Sequence, residues 1–156
     1  MDVIPALSIE DVENIDSILQ DYLQKSESEL CVVIDRGGNV ISQSGDLGMM
    51  DVTIIAALAA GSFAATKELA RRIGEVEFNA LYHQGNGNHM FMNSIDEDTI
   101  MITVFSSQTT VGLVRFYSAS AANSLASILQ SLRQKSVEPL EFDEADIAAL
   151  NLEDEV

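Results

Sequence analysis

Basic residues are scarce in this chain. Eight Lys and Arg stand against 25 Asp and Glu, giving a formal net charge of −17 at pH 7 and a pI near 4.1. A phosphate-binding surface needs a concentrated basic footprint, so nucleic acid is excluded as a partner, and an anionic membrane surface is disfavoured for the same reason. Cysteine is nearly absent. Cys31 stands alone, which rules out an intramolecular disulfide and a zinc site built on several thiolates. Long apolar runs are missing as well. The strongest, Ile54 to Ala60, falls far short of the roughly 20 residues of a membrane span, so no membrane insertion is expected. The opening Met1-Asp2-Val3-Ile4-Pro5 lacks the basic and apolar regions of a secretory signal. A reducing, cytoplasmic location is the resulting expectation.

What is present describes a globular body. Apolar residues make up 47% of the 156 and charged residues 21%, enough for one domain with a core of its own. Ser8-Ile9-Glu10-Asp11 reads as a helix start, with Ser8 as N-cap and acids in the first turn. Ile9, Val12, Ile15, Leu19, Tyr22 and Leu23 then recur at helical spacing until Ser26 and Ser28. Cys31-Val32-Val33-Ile34 and Val40-Ile41-Ser42-Gln43-Ser44 flank the turn Asp35-Arg36-Gly37-Gly38-Asn39 and predict a β-hairpin. A long helix is expected from about Asp51 to Ile73, closed by Gly74. Ala80–Gln84 and His89–Asn93 flank Gly85-Asn86-Gly87-Asn88 as a second hairpin. Asp96-Glu97-Asp98 then turns into Thr99–Phe105, apolar enough for a central strand. Val114, Tyr117, Ala121, Leu125, Ile128 and Leu132 make a last helix, from about Thr110 to Gln134. The order α-β-β-α-β-β-β-α, with short strand connections, gives an α+β fold with a largely antiparallel sheet.

The middle helix carries the main functional clue. Ile55, Ala59, Phe63, Thr66, Ala70 and Ile73 fall on one side, with Ser62 and Leu69 at its edge, and this side is expected to cover the sheet. The opposite side holds Thr53, Ala57, Ala60, Gly61, Ala64, Lys67, Glu68 and Arg71. A solvent face is ordinarily Glu, Lys, Gln and Arg; here its first turns are alanine and glycine. Alanine is a good helix former in any setting. Glycine is not, and Gly61 costs about 0.5–1 kcal/mol in a helix interior, which points to close approach by another polypeptide.

Several sites fail on spacing. His83 and His89 lie on either side of a turn and could approach each other, but no third ligand accompanies them, so no metal is expected. Gly85-Asn86-Gly87 is not followed by the helix that a dinucleotide loop requires, and there is no P-loop, so the chain itself is not expected to bind GTP. Asp96-Glu97-Asp98 lacks calcium-loop spacing, no serine sits in a nucleophile elbow, and Cys31 reads as an inert core residue. No cofactor is expected.

The helix from Ile54 to Ala65, the run Leu69-Ala70-Arg71-Arg72-Ile73-Gly74-Glu75, His83-Gln84-Gly85, the strand into Val104-Phe105 and Val111-Gly112-Leu113-Val114-Arg115 together resemble Roadblock-superfamily proteins. Within that superfamily they most resemble the MglB group, bacterial polarity regulators of the Ras-like GTPase MglA. The likeness runs from about Asp11 to Leu132, within an expected Roadblock domain at 8–137. It implies a five-stranded antiparallel sheet with the middle helix on one face and the first and last helices on the other (a Roadblock/longin-like fold). It also implies a homodimer in which edge strands and middle helices of two copies meet, forming a platform for one small Ras-like GTPase of the MglA type. Such proteins activate GTP hydrolysis without an active site or arginine finger of their own, by rearranging the GTPase; Arg36, on a hairpin tip, is therefore not expected to act as one. Carried onto this chain, the platform is Ala57, Ala60, Gly61, Ala64, Lys67, Glu68 and Arg71, with Glu68 departing from the small residue expected there. The alternative is a structural Roadblock scaffold in a larger assembly, without effect on GTP turnover.

Beyond Pro139 the composition changes. Residues 138–156 form an acidic tail threaded by Phe142, Ile147, Leu150 and Leu152. Asp143 can cap a short helix that sets Phe142, Ile147 and Leu150 on one side as a partner contact; the other reading is a solvating tail.

Overall fold

The computed structural model describes residues 7–46 and 48–137. They form α1 (Ile9–Ser26), β1 (Leu30–Asp35), β2 (Val40–Gly45), α2 (Val52–Arg72), β3 (Ala80–Gln84), β4 (His89–Ser94), β5 (Thr99–Phe105) and α3 (Val111–Val137). The order is the expected one, and all four strand pairings in the five-stranded sheet β2-β1-β5-β4-β3 are antiparallel. The expected tail contacts Phe142, Ile147 and Leu150 lie outside the described residues.

Local chemistry accounts for the boundaries. Ser8 Oγ accepts from the Asp11 N–H at 3.1 Å while the Asp11 carboxylate accepts from the Ser8 N–H at 3.1 Å, a reciprocal capping box. Asp51 caps α2 by accepting from the N–H groups of Thr53 and Ile54. At the other end Gly74 is left-handed at φ 82°, and the N–H groups of Glu75 and Gly74 reach the carbonyls of Ala70 and Arg71 at 2.8 and 3.3 Å. This is the glycine-terminated helix end expected from the sequence.

The sheet separates two cores. Alternation along β1 sends Cys31 and Val33 to one face and Leu30, Val32 and Ile34 to the other. The first face is covered by α1 and α3, through Ile15, Leu19, Tyr22, Val114, Ala121 and Leu125. The second is covered by α2 through Ala56, Ala59, Ala60 and Phe63. Ile9 and Val12, placed by spacing on the buried stripe of α1, are instead 81% and 40% exposed. They belong to the start of the helix, ahead of Ile15, where the buried stripe begins. Cys31 is fully buried, and burial pushes its thiol up to about 12, so it is an inert core residue. Beside it the Tyr22 hydroxyl and Thr103 Oγ1 share a buried hydrogen bond of 2.7 Å.

By length and composition α2 would suffice to cross a membrane, a capacity that the shorter run Ile54–Ala60 does not reveal. Here its Val52, Ala56, Ala59 and Phe63 are packed on the sheet.

Asp96 organises the turn between β4 and β5. Its carboxylate accepts from the Asp98 N–H at 2.8 Å, from the Thr99 hydroxyl, and from Arg133 Nη1 of α3 at 2.8 Å. Partial burial pushes its carboxyl up, but the Thr99, Asp98 and Arg133 donors outweigh that and hold it below the usual aspartate range. A depressed folded-state value contributes stability that is complete above the unfolded value of about 3.9 and is lost as pH falls through the folded value. Asp96→Asn is therefore expected to lower unfolding free energy by about 1–3 kcal/mol near neutrality. In urea titrations the difference from the parent should hold above about pH 5 and narrow below about pH 4; a difference independent of pH down to acid unfolding would contradict this role.

Candidate functional site

A helix with its side chains is about 10–12 Å across, whereas five strands at about 4.8 Å spacing are roughly twice as wide. Two helices, α1 and α3, suffice for one face of the sheet. On the other, α2 is the one helix among the described residues and packs mainly on β1 and β2. The part of the face formed by β4 and β5 becomes the floor of a groove of about 450 Å³ beside α2. Its apolar lining includes Ile55, Leu58, Ala59, Met90 and Val104; His83, Gln84 and Asn88 are among its polar members. Along α2 a row of large apolar side chains continues into solvent: Ile54, Leu58, Leu69 and Ile73 are between 56% and 69% exposed. Next to the groove lies β3, an edge strand with one side unpaired.

This arrangement corrects the division of α2 made from the sequence. Ile73, Leu69 and Ser62, assigned to the sheet, are exposed, and Ile55 is only half-buried. The sheet-facing stripe is turned toward Val52, Ala56, Ala59, Ala60, Phe63 and Ala70. Alanines let the helix axis approach the large side chains of β1, and Phe63 fills the remaining depth. Ala60 thus belongs to the protein's own core at 7% exposure. The unpartnered apolar row that the sequence reading missed was legible only as too much leucine and isoleucine for one stripe.

The other proposed platform residues are spread along an accessible flank. Gly61 and Ala64 are exposed, and a Cβ built on Gly61 would meet nothing within 4 Å. Ala57 is exposed, yet its backbone abuts the β1–β2 turn: a Cβ on Gly38 would stand 2.9 Å from Ala57 Cα. Lys67 lies 3.8 Å from Glu77. Glu68 is gripped by Arg71 at 2.7 and 3.0 Å and by Arg72 at 2.9 Å, and these two guanidinium groups, Arg71 first, hold its carboxyl below the usual range. Its charge is answered within its own helix. Exposed pairs of this kind add little stability.

The secondary candidates fall apart or fall into place. His83 pairs with Met90 and His89 with Gln84, so alternation puts the two imidazoles on opposite faces of the hairpin and they do not approach each other. His89 stacks on Tyr82 and Phe105, with its Nδ1 3.4 Å from the Tyr82 hydroxyl. Arg36 is not a free finger. Its guanidinium lies 6.0 Å from the Phe63 ring centroid, and Nη2 donates to the Asp96 carbonyl at 3.5 Å.

Residues 14–105 match the Roadblock/LC7 domain. The chain belongs to that family. Among solved structures it is similar to MglB of Myxococcus xanthus, with a TM-score of 0.72 and 29% identity over 75% of this chain and 95% of that one. It is also similar to the gliding protein MglB of Thermus thermophilus, with a TM-score of 0.74 and 26% identity over 81% and 96%. An MglB with a tetrameric arrangement gives 0.77 and 26% over 81% and 96%.

The contact at Gly38 makes the seating of α2 testable. Gly38 is left-handed at φ 90° as well as crowded by Ala57. Gly38→Ala is expected to destabilise the protein by about 1–3 kcal/mol, read as a lower midpoint in thermal or urea unfolding. An unchanged midpoint would mean that the turn does not bear on α2.

Proposed function

We propose that this chain is a homodimeric, non-catalytic regulator of a small Ras-like GTPase of the MglA type, acting as an MglB-like activator of GTP hydrolysis in bacterial cell polarity or motility. One observation carries the reading: the uncovered apolar groove beside α2, continuous with an open edge strand, on a fold that matches nearly the whole length of MglB chains.

A second copy is favoured on physical grounds. Exposed Leu58, Leu69, Ile54 and Ile73 lie along one helix, and burying each such side chain contributes about 1.5–3 kcal/mol. A second copy related by a two-fold axis supplies both an unpaired β3 edge and an equal apolar row, so one contact satisfies both protomers. Two α2 helices side by side then present Gly61, Ala64, Lys67, Glu68 and Arg71 as one platform of small residues bordered by charge. Small residues admit a partner's backbone closely, and the Glu68–Arg71–Arg72 cluster can exchange its internal ion pairs for intermolecular ones with little loss. The protein would then contribute no catalytic group; it would select the GTPase conformation whose own residues stabilise transition-state charge. A reducing cytoplasm is the compartment in which such a pair would meet.

Two measurements test this. Leu58→Arg is expected to convert a dimer to a monomer in sedimentation analysis while the fold survives; a parent that is already monomeric overturns the dimer. GTP hydrolysis by a cognate MglA-type GTPase should rise on addition of the parent protein, and Ala64→Arg, folded and still dimeric, should abolish the rise. Binding without any change in turnover would assign the chain to the structural Roadblock scaffolds instead, and absence of both would remove the GTPase as partner.

A further inference from the structure

Residues 78–95 contain no Asp, Glu, Lys or Arg, in a chain of which 21% is charged. At the tip of this neutral hairpin stands Gly85-Asn86-Gly87-Asn88. The neck of the loop is tight, for Gly85 lies against the Asn88 carbonyl, where a Cβ would find no room. Its tip is open. Asn86 and Gly87 are both exposed and form a bend rather than a hydrogen-bonded turn. Among the described residues, neither the Asn86 side-chain amide nor the Gly87 N–H has a hydrogen-bond partner. A Cβ built on Gly87 would meet nothing within 4 Å.

An asparagine amide carbon is an electrophile, and the backbone nitrogen of the next residue is the nucleophile closest to it along the chain. Two things ordinarily keep them apart: a hydrogen bond that fixes either group, and a side chain on the following residue that hinders approach. Neither operates here. Glycine has no Cβ and the freest backbone of any residue. Asn86 is the one asparagine of the sequence that precedes a glycine. Asn88, in the same loop, precedes His89. Asn39 precedes Val40, and its Nδ2 is tied to the Asp35 carboxylate at 2.9 Å.

We propose that Asn86-Gly87 is a self-modifying site. The Gly87 nitrogen bonds to Asn86 Cγ, the Cγ–Nδ2 bond breaks, and ammonia leaves with the Gly87 amide proton. Water then opens the resulting succinimide ring. Cleavage at the side-chain carbonyl leaves aspartate; cleavage at the backbone carbonyl leaves isoaspartate, with the main chain longer by one methylene. Either product carries a carboxylate where the hairpin had no charge. Gly85 and Asn88, on either side, line the groove beside α2, whose lining includes no Asp, Glu, Lys or Arg. The new charge therefore stands at the rim of that groove, where it changes the electrostatic match with any occupant. The reaction needs only the loop and water, and does not rest on the dimer or GTPase reading.

Ageing the full-length protein in mildly alkaline buffer tests this, with peptide mapping by mass spectrometry that separates isoaspartate from aspartate. Asn86 should convert at least about tenfold faster than Asn88, with isoaspartate among the products. Gly87 is not left-handed and has space for a Cβ, so Gly87→Ala should fold and should slow conversion by about tenfold. The folded protein should convert within about tenfold of its rate in urea, because the exposed loop tip leaves both groups free. Conversion no faster than at Asn88, aspartate as the sole product, an unchanged rate in Gly87→Ala, or strong protection by folding would each overturn the proposal. None of these readouts involves nucleotide or oligomeric state, so their failure and the failure of the regulator reading are distinguishable.

Discussion

One helix cannot cover five strands. Much of this protein's organisation follows from that mismatch of widths. With α1 and α3 on one face, the sheet is closed there by Ile15, Leu19, Val114 and Leu125. With α2 the one helix on the other among the described residues, Met90 and Val104 help to line an open groove. A domain of this size gains too little from burial to leave such a surface idle without consequence. That apolar surface is built into the architecture rather than into any single residue.

The way α2 is seated adds to that surface. Ala56, Ala59, Ala60 and Ala70 face the sheet beside Val52 and Phe63, so the helix sits low where the alanines are. Leu58 and Leu69 are turned out and remain exposed. Apolar surface is thus left on the outward arc of the helix. The charges at the C-terminal end of α2 follow the same logic: Glu68 is clasped by Arg71 and Arg72, which keeps the flank soluble while leaving it able to re-pair.

The sequence made most of the elements legible, for identifiable reasons. The cap at Ser8 and the glycine stop at Gly74 marked helix ends, glycine-containing turns marked the hairpins, and regular spacing from Val114 to Leu132 marked the last helix. Which arc of α2 meets the sheet was not legible, because both arcs are apolar and periodicity reports the spacing of a stripe, not its partner. Nor was the fate of the two histidines, since proximity across a turn depends on register: a shift of one residue exchanges faces, and the pairing of His83 with Met90 separates them. Asp96 looked like one of three turn acids. Its bond to Arg133 joins residues 37 apart in the chain, a long-range contact that composition cannot reveal.

The crowding of Gly38 against Ala57 has a consequence for how the groove keeps its shape. The hairpin tip acts as a spacer under the helix: it sets the height at which α2 rides, and through that height the depth of the trough on the far side, where Leu58 and Ala59 form one wall. A change confined to a tight turn near one margin of the sheet would thus be felt across the helix, as a groove of altered depth and width.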